Sequence, residues 1–373
     1  MTQGTSSTDA EQALAEQVRA AAADGRRLAI RGGGSKAFYG NPVAADAVLD
    51  CTAHTGVVAY EPTELAITVR GGTRLAEVEA LLAAQGQQLP FEPPHFGGGD
   101  AAGESTATLG GVVAAGLSGP RRPYAASVRD AVLGVRLLNG QGQALEFGGR
   151  VMKNVAGYDV SRLMAGSLGV LGVLLTVSVK VIPRAPGTLT VVRDEPLPRA
   201  LDLLRRLARK ALPISGSAWL DGRLYLRIDG GEAALAETHR LVEGLPLDAA
   251  DAFWRDLREQ RLAFFAGDAP LWRLSVPPAT PADATDPLGA GAPLLEWGGA
   301  LRWLRGELPA ARVRQLASAA GGHATLFRPG AGERPADGVF TPLAAVPARL
   351  HLNLKRAFDP AGVLNPGRLY PDM

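Results

Sequence analysis

Arg27-Leu28-Ala29-Ile30-Arg31-Gly32-Gly33-Gly34-Ser35-Lys36-Ala37 is the stretch that decides between two kinds of fold. A short apolar run enters three glycines, as a strand enters a ligand-facing turn. Gly32-x-Gly34-x-x-Ala37 satisfies the pattern of a dinucleotide-binding βαβ unit, and Asp50 stands near the place of its ribose acid. The connection rejects that reading. A parallel crossover needs a helix of roughly ten residues, whereas Ser35 to Asp46 is interrupted by Gly40-Asn41-Pro42. A Walker loop is excluded because no Gly-Lys pair occurs in the chain. What remains is a glycine turn whose N–H groups can converge on a phosphate, or a plain tight turn.

Composition narrows the class further. The chain has 373 residues, 39 Lys+Arg against 37 Asp+Glu, and a formal net charge of +2. That length suits two or three domains. The balanced charge, without any block of five like charges, argues against a nucleic-acid binder. Its 46 glycines, nearly twice the usual ~7%, cluster in short loops rather than in one tract. One cysteine, Cys51, excludes disulfide frameworks, iron–sulfur ligation and thiolate zinc sites within the chain. The polar, acidic N-terminus has no signal-peptide pattern. The uncharged run Leu163 to Val179 carries Gly166, Ser167, Gly169, Gly172, Thr176 and Ser178, so it reads as turn and core strand rather than membrane span.

Local patterns place the elements. A helix follows Thr8-Asp9-Ala10-Glu11 and ends at Gly25. Strands are expected at 27–31, 47–50, 57–60 and 66–70, then a helix capped by Thr73 and closed by Gly86. Asn139-Gly140 predicts a hairpin between 132–138 and 144–147. A helix at 158–165 and a strand at 170–182 follow. After Pro183–Gly187 come helices at 199–211, 232–243 and 251–262, a hairpin at Asp221-Gly222, a loop at 277–293, a strand at 323–328 and a helix at 344–358. Helices and strands segregate without regular alternation, so the class is α+β.

A wider resemblance emerges from several segments read in order. Arg31–Ser35, Glu61-Pro62-Thr63-Glu64-Leu65-Ala66, Leu89-Pro90-Phe91-Glu92-Pro93-Pro94, Ala107-Thr108-Leu109-Gly110-Gly111 and Gly166–Val173 resemble the vanillyl-alcohol-oxidase, or PCMH-type, FAD-binding family. Phe358–Arg368 looks like that family's closing motif. More narrowly, Pro93–Gly97, Gly119–Tyr124 and Lys153–Asp159 resemble the FAD-binding E subunits of bacterial glycolate oxidases. The resemblance implies a PCMH-type FAD-binding domain at 1–185, a smaller α+β cap at 186–340, and a C-terminal segment, 341–373, returning to the first domain. It also implies an oxidoreductase subunit that contributes to oxidising glycolate, or another small 2-hydroxy acid, to the 2-keto acid, with hydride leaving for the flavin. The implied partners are a homologous FAD-bearing D-type subunit and an iron–sulfur F-type subunit. A noncatalytic flavin-binding scaffold for the D-type subunit is the alternative; a UDP-sugar-reductase-like enzyme would share only the flavin domain. The expected location is cytoplasmic, with any membrane association through partner subunits.

The same resemblance assigns FAD contacts to Arg31, Gly32, Gly33, Gly34, Ser35, Lys36, Pro93, Thr108, Leu109, Gly110, Gly111, Ala114, Ser118, Gly119, Tyr124, Gly169, Gly172, Val173 and Asn365. Glycine lets backbone approach a pyrophosphate closely, and a helix starting after Thr108 would add N–H groups and a positive dipole end. Gly33→Val should therefore abolish FAD retention while leaving the fold largely intact. Some relatives attach FAD through a His in the first glycine loop or a Cys in the second. Here Lys36 stands in the first loop and Cys51 lies in neither, so noncovalent FAD is expected. No metal is expected, since His54, His95, His239, His323 and His351 form no ligand-spaced pair. His323 reads as a structural or rim residue. Arg121-Arg122 is either a solvated turn or an anion contact. Lys153, Tyr158 and Asp159 form a further cluster, with Asp159 read either as part of it or as a helix cap only, and no catalytic residue is assigned.

Overall fold

The computed structural model describes residues 7–97, 105–149, 159–289, 291–332 and 334–373. The chain divides into two units: Met1–Ser118, Ala126–Pro183 and Pro342–Met373 form one, and Gly119–Ala125 with Arg184–Thr341 form the other. Sequence reading had placed 119–125 in the first domain. In the structure that segment bonds into the second unit, where Tyr124 Oη donates to Ser217 Oγ (2.6 Å) and Trp297 Nε1 donates to Gly119 O (3.0 Å).

In the first unit, helix α1 (Ser7–Asp24) precedes a parallel pair, β1 (Leu28–Arg31) and β2 (Ala47–Asp50). A five-stranded antiparallel sheet follows. It orders β3 (Val57–Glu61), β4 (Ala66–Arg70), β8 (Val173–Lys180), β6 (Val132–Leu138) and β7 (Ala144–Gly148). Alternation along these strands sends Ile67, Val69, Val135, Leu137, Val177 and Val179 into a core shared with helices α2 (Leu75–Ala84) and α3 (Leu109–Ala115). Short elements complete the unit: β5 (Gln87–Gln88) pairs β9 (Ile182–Pro183), while α4 (Val128–Ala131) and α5 (Val160–Leu163) are single turns.

Three local readings change. Thr73 does not cap α2; Arg74 holds that position without a side-chain bond, and Thr73 Oγ1 instead pairs with the Gly56 backbone. The hairpin turn is longer than Asn139-Gly140, because Asn139 Oδ1 accepts from both Gln141 N and Gln143 N, and Gly142 takes the positive φ. Gly140 serves a close approach: a Cβ there would lie 2.2 Å from Asp359 Oδ1. The helix expected at 158–165 is the turn α5, capped by Asp159 (Arg162 N to Oδ1, 3.1 Å); Lys153 and Tyr158 lie outside the described residues.

The C-terminal helix (Ala345–Phe358) belongs to the first unit. Lys355 Nζ donates to Asp359 Oδ2 (2.7 Å), Val170 O (2.9 Å) and Leu364 O (2.7 Å), and Asp359 accepts from Val363 N and Leu364 N. This buried cluster ties the tail to the Gly-rich turn before β8.

The second unit is an eight-stranded sheet with helices packed on both of its faces. Its strands are β10 (Thr188–Asp194), β11 (Ile214–Leu220), β12 (Arg223–Asp229), β13 (Leu245–Pro246), β14 (Leu271–Ser275), β15 (Leu294–Glu296), β16 (Leu301–Arg305) and β17 (His323–Arg328). Helices are α6 (Leu197–Leu207), α7 (Glu232–Val242), α8 (Ala250–Arg258) and α9 (Ala310–Ala319). The hairpin at Asp221-Gly222 has both turn residues at positive φ, as a two-residue turn requires. β10, β14, β15, β16 and α9 were not foreseen: their residues are short mixed runs whose apolar positions make sense only once the sheet is paired.

Candidate functional site

A cavity of about 300 Å³ opens in the first unit where β1, α3, the turn before β8 and the C-terminal tail converge. The first wall is the glycine turn leaving β1. A Cβ on Gly32 would stand 2.4 Å from Thr108 Oγ1, so the turn lies directly on the extended segment that leads into α3. Gly34 has φ +74° and open space around its missing side chain. Among the described residues, the N–H groups of Gly33, Gly34 and Ser35 meet no acceptor. Consecutive unengaged amides lining a cavity are donors awaiting an anion.

α3 behaves differently from expectation. Its first-turn amides are already used: Leu109 N donates to Thr73 O, Gly110 N to Gly71 O, Gly111 N to Thr108 Oγ1 and Val112 N to Thr108 O. The helix start therefore contributes a small-residue wall of Gly110, Gly111, Ala114 and Ala115 rather than phosphate donors.

The third wall is a clamp. Asn365 Nδ2 donates to Leu168 O (2.6 Å), and its Oδ1 accepts from Ile30 N (2.7 Å). One side chain thus joins β1 to the turn before β8, both of which face the cavity. Its closeness requires glycine opposite, because a Cβ on Gly169 would lie 2.7 Å from Asn365 Nδ2.

Charge is one-sided here. Arg31, Lys36 and Arg368 line the cavity, and no carboxylate does among the described residues. Arg31 is paired with Asp50 at 2.9 Å; Lys36 Nζ reaches His95 O (3.2 Å), and Arg368 Nη2 reaches Ala37 O (2.9 Å). In a chain of net charge +2, this concentrates cations where the amides point. Cys51 also reaches the wall, but burial, with Asp50 nearby, pushes its thiol up to about 12. It stays protonated and is a poor nucleophile.

Fourteen of the expected contact residues line this cavity: Arg31 through Lys36, Thr108, Gly110, Gly111, Ala114, Gly169, Gly172, Val173 and Asn365. Five stand elsewhere. Leu109 is fully buried in the core, Pro93 is buried outside the wall, and Ser118 Oγ accepts from Val128 N. Gly119 and Tyr124 belong to the second unit, where burial pushes Tyr124 up to about 12. Gly71, Leu168 and Arg368 were missed. Gly71 had a signal in the Gly71-Gly72 pair after β4, and a Cβ there would strike Leu174 O at 2.1 Å.

Comparison with known proteins agrees with this geometry. An FAD binding domain family matches residues 7–148. Glycolate oxidase subunit GlcE of Escherichia coli K12 is 47% identical over 365 residues, covering 98% of this chain and 99% of that protein. The chain belongs to the GlcE family of FAD-binding oxidoreductase subunits. Other members of the wider group match only in part. Glycolate oxidase subunit GlcD of Bacillus subtilis is 29% identical over 34% of this chain and 26% of its own length. A D-lactate dehydrogenase of Archaeoglobus fulgidus is 29% identical over 33% of this chain and 27% of its own length. Among solved structures, an alkyldihydroxyacetonephosphate synthase aligns over 95% of this chain and 75% of its own, with TM-score 0.64 and 14% identity, a likeness of fold. No helix among the described residues is long and apolar enough to cross a membrane.

Proposed function

We propose that this chain is the E-type FAD subunit of a complex that oxidises glycolate, or a similar 2-hydroxy acid, beside D-type and iron–sulfur F-type partners. The observation that carries the reading is that, among the described residues, the amides of Gly33, Gly34 and Ser35 are unengaged in a wall holding three cations and no carboxylate. That donor set suits the FAD pyrophosphate.

In this reading, Gly33, Gly34 and Ser35 N–H groups hold phosphate oxygens, and Arg31, Lys36 and Arg368 neutralise them. Ile30, Ala114, Ala115 and Val173 give an apolar surface that excludes water from a flat ring. Asn365 fixes the separation of the two walls. Bound FAD supplies the acceptor for two electrons from a substrate C–H bond. Retention is noncovalent, since the thiol nearest the cavity is held protonated. Any membrane attachment runs through partner subunits. One observation favours the scaffold alternative: among the described residues, the lining side chains include no histidine and no carboxylate to take a hydroxyl proton.

The test is direct. Purified chain should be yellow, and acid precipitation should release close to one FAD per chain into the supernatant. A folded, colourless protein, or flavin that stays in the pellet, would overturn the assignment.

A further inference from the structure

Helix α6 of the second unit carries a surface that the flavin site does not use. From Leu197 to Lys210 the chain has five basic residues, Arg199, Arg205, Arg206, Arg209 and Lys210, to one acid, Asp202. Over its whole length it has 39 Lys+Arg to 37 Asp+Glu. Ala200, Leu201, Leu203, Leu204 and Leu207 turn into the core against Val191, Leu224, Leu226 and Ile228, so every charged side chain of the segment is left exposed. Arg199, Asp202, Arg205, Arg206 and Arg209 line, with Glu195, a groove of about 680 Å³. Both acids of the groove are already engaged: Asp202 pairs with Arg205, and Glu195 Oε1 accepts from Arg193 Nη2 (2.5 Å). Among the described residues, the side chains of Arg199, Arg206, Arg209 and Lys210 have no hydrogen-bond or ion-pair partner.

The stability of the helix itself explains only part of this. Cations in a last turn suit the negative end of the helix dipole, which accounts for Arg205 and Arg206. Arg199 stands in the first turn, at the positive end, where the same dipole opposes it. Three uncompensated guanidiniums around one groove concentrate positive potential there. Arg199 and Arg206 are about two turns, or ~10 Å, apart along the axis, which suits several carboxylates in series rather than one small anion. A lipid surface is disfavoured by what the helix lacks. Among the described residues, the exposed large apolar side chains of the second unit are Leu241 on α7 and Leu245 on β13, so α6 presents none to bury among acyl chains.

We propose that the exposed face of α6 docks an acidic segment of another protein, whose carboxylates pair with Arg199, Arg206 and Arg209 in the groove. Guanidinium and carboxylate meet through two parallel, charge-assisted N–H···O bonds. At a solvated surface such pairs steer encounter and fix register more than they add affinity, so the contact is sensitive to salt. The surface lies wholly in the second unit, and the proposal does not rest on the flavin assignment.

The experiment is fluorescence anisotropy of a dye-labelled hexaglutamate peptide titrated with the full chain, with melting temperature and FAD content read on every variant. At an ionic strength of roughly 0.02 M the peptide should bind saturably, at ~100 μM or tighter, and about tenfold more weakly at ~0.3 M. The triple variant Arg199→Glu, Arg206→Glu, Arg209→Glu should lose at least ~10-fold of that affinity. Its melting and FAD content should stay close to the parent's, since the buried face of α6 is untouched. Glutamine at the same three positions, the milder change, should weaken the peptide roughly 3- to 10-fold. A control triple, Arg184→Glu, Arg240→Glu, Arg349→Glu, makes the same change in net charge at exposed positions elsewhere. It should bind the peptide within about threefold of the parent. Equal weakening in the control triple, no saturable binding, or an affinity indifferent to salt would each overturn the surface. So would sedimentation with phosphatidylcholine–phosphatidylserine vesicles that the α6 triple abolishes while peptide binding stays unchanged, since that would make the occupant a lipid surface.

Discussion

A Cβ on Gly33 would stand 1.4 Å from the carbonyl oxygen of Thr106, well inside any real contact. Gly33 is therefore glycine because two backbone segments touch there, whereas Gly34 is glycine because of its φ of +74°. The distinction revises what substitution does. Gly33→Val cannot act on the ligand alone; even Gly33→Ala must push the turn off Thr106. We expect Gly33→Ala to lose FAD and to cost ~1–3 kcal/mol or more, as overpacking does. Gly34→Ala should cost ~1–2 kcal/mol of left-handed strain without any clash. Thermal melts with released-FAD assays check both, and a Gly33→Ala protein with parental melting and full FAD would refute the packing argument.

Asn365 offers a cleaner separation of fold from site. It sits at φ +44°, a region asparagine tolerates better than most residues, and its amide bridges Leu168 O and Ile30 N. Asn365→Gly keeps the backbone conformation and removes both bonds. It should lower stability by ~1–3 kcal/mol and weaken FAD retention, since the two walls are no longer joined. Asn365→Asp keeps the acceptor for Ile30 N but turns an acceptor toward Leu168 O, and should retain less FAD than the parent. Equal FAD affinity in all three proteins would remove the clamp from the argument.

The glycine turn was legible because β1 is a short apolar run and the connection after it is too short and too broken for a crossover helix. Gly169 and Asn365 were legible only as parts of longer segments; nothing in either alone announces that they meet across 196 positions. The α3 amides misled, because their acceptors, Thr73 O and Gly71 O, come from a segment whose fold depends on tertiary packing. Arg273 and Trp297, whose guanidinium and ring centre lie 5.1 Å apart, were illegible as a pair for the same reason. Each lies in a short strand or turn of the second unit, where pairing rather than local pattern sets the neighbours.

His54 gives stability a pH dependence of known sign. It is 3% exposed, and among the described residues neither ring nitrogen has a hydrogen-bond partner of normal geometry, the nearby Leu175 backbone being only a lesser, opposing influence on its proton. Burial, its largest influence, lowers its pKa below the ordinary value. The unfolded chain then binds the proton first as pH falls, so stability is full above the unfolded value of ~6.5 and declines as pH drops through the folded one. His323 shifts the same way and contributes in the same window. Urea midpoints at about pH 8 and about pH 5.5 should differ less in His54→Phe than in the parent, with His323→Ala as the second control. An undiminished difference in His54→Phe would assign the effect elsewhere.

Cys51 reports on the cavity without altering it. With its thiol near 12, the thiolate fraction at mildly alkaline pH is about a thousandfold below that of an ordinary cysteine. Iodoacetamide should therefore label native protein orders of magnitude more slowly than urea-unfolded protein. Cys51→Ser should still release intact FAD on acid precipitation. Flavin that becomes extractable only in Cys51→Ser would show a covalent link through this sulfur.

Lys355 and Asp359 test how far the tail governs the site. Both are almost fully buried, and all three ammonium protons are used, two of them on the carbonyls of Val170 and Leu364. Asp359 in turn holds Val363 N and Leu364 N, which sets where Asn365 begins. Removing one partner strands the other charge: Lys355→Met leaves a buried carboxylate with only backbone donors, at a cost of ~3–5 kcal/mol. Adding Asp359→Asn removes that charge and keeps a carbonyl oxygen for one backbone N–H. The double variant should then be less destabilised than the two single losses added together, which urea denaturation of all four proteins measures. Because Asn365 follows directly, FAD affinity should fall in step with stability in Lys355→Met. Strictly additive losses, or FAD binding that ignores them, would mean the pair anchors the helix without positioning the clamp.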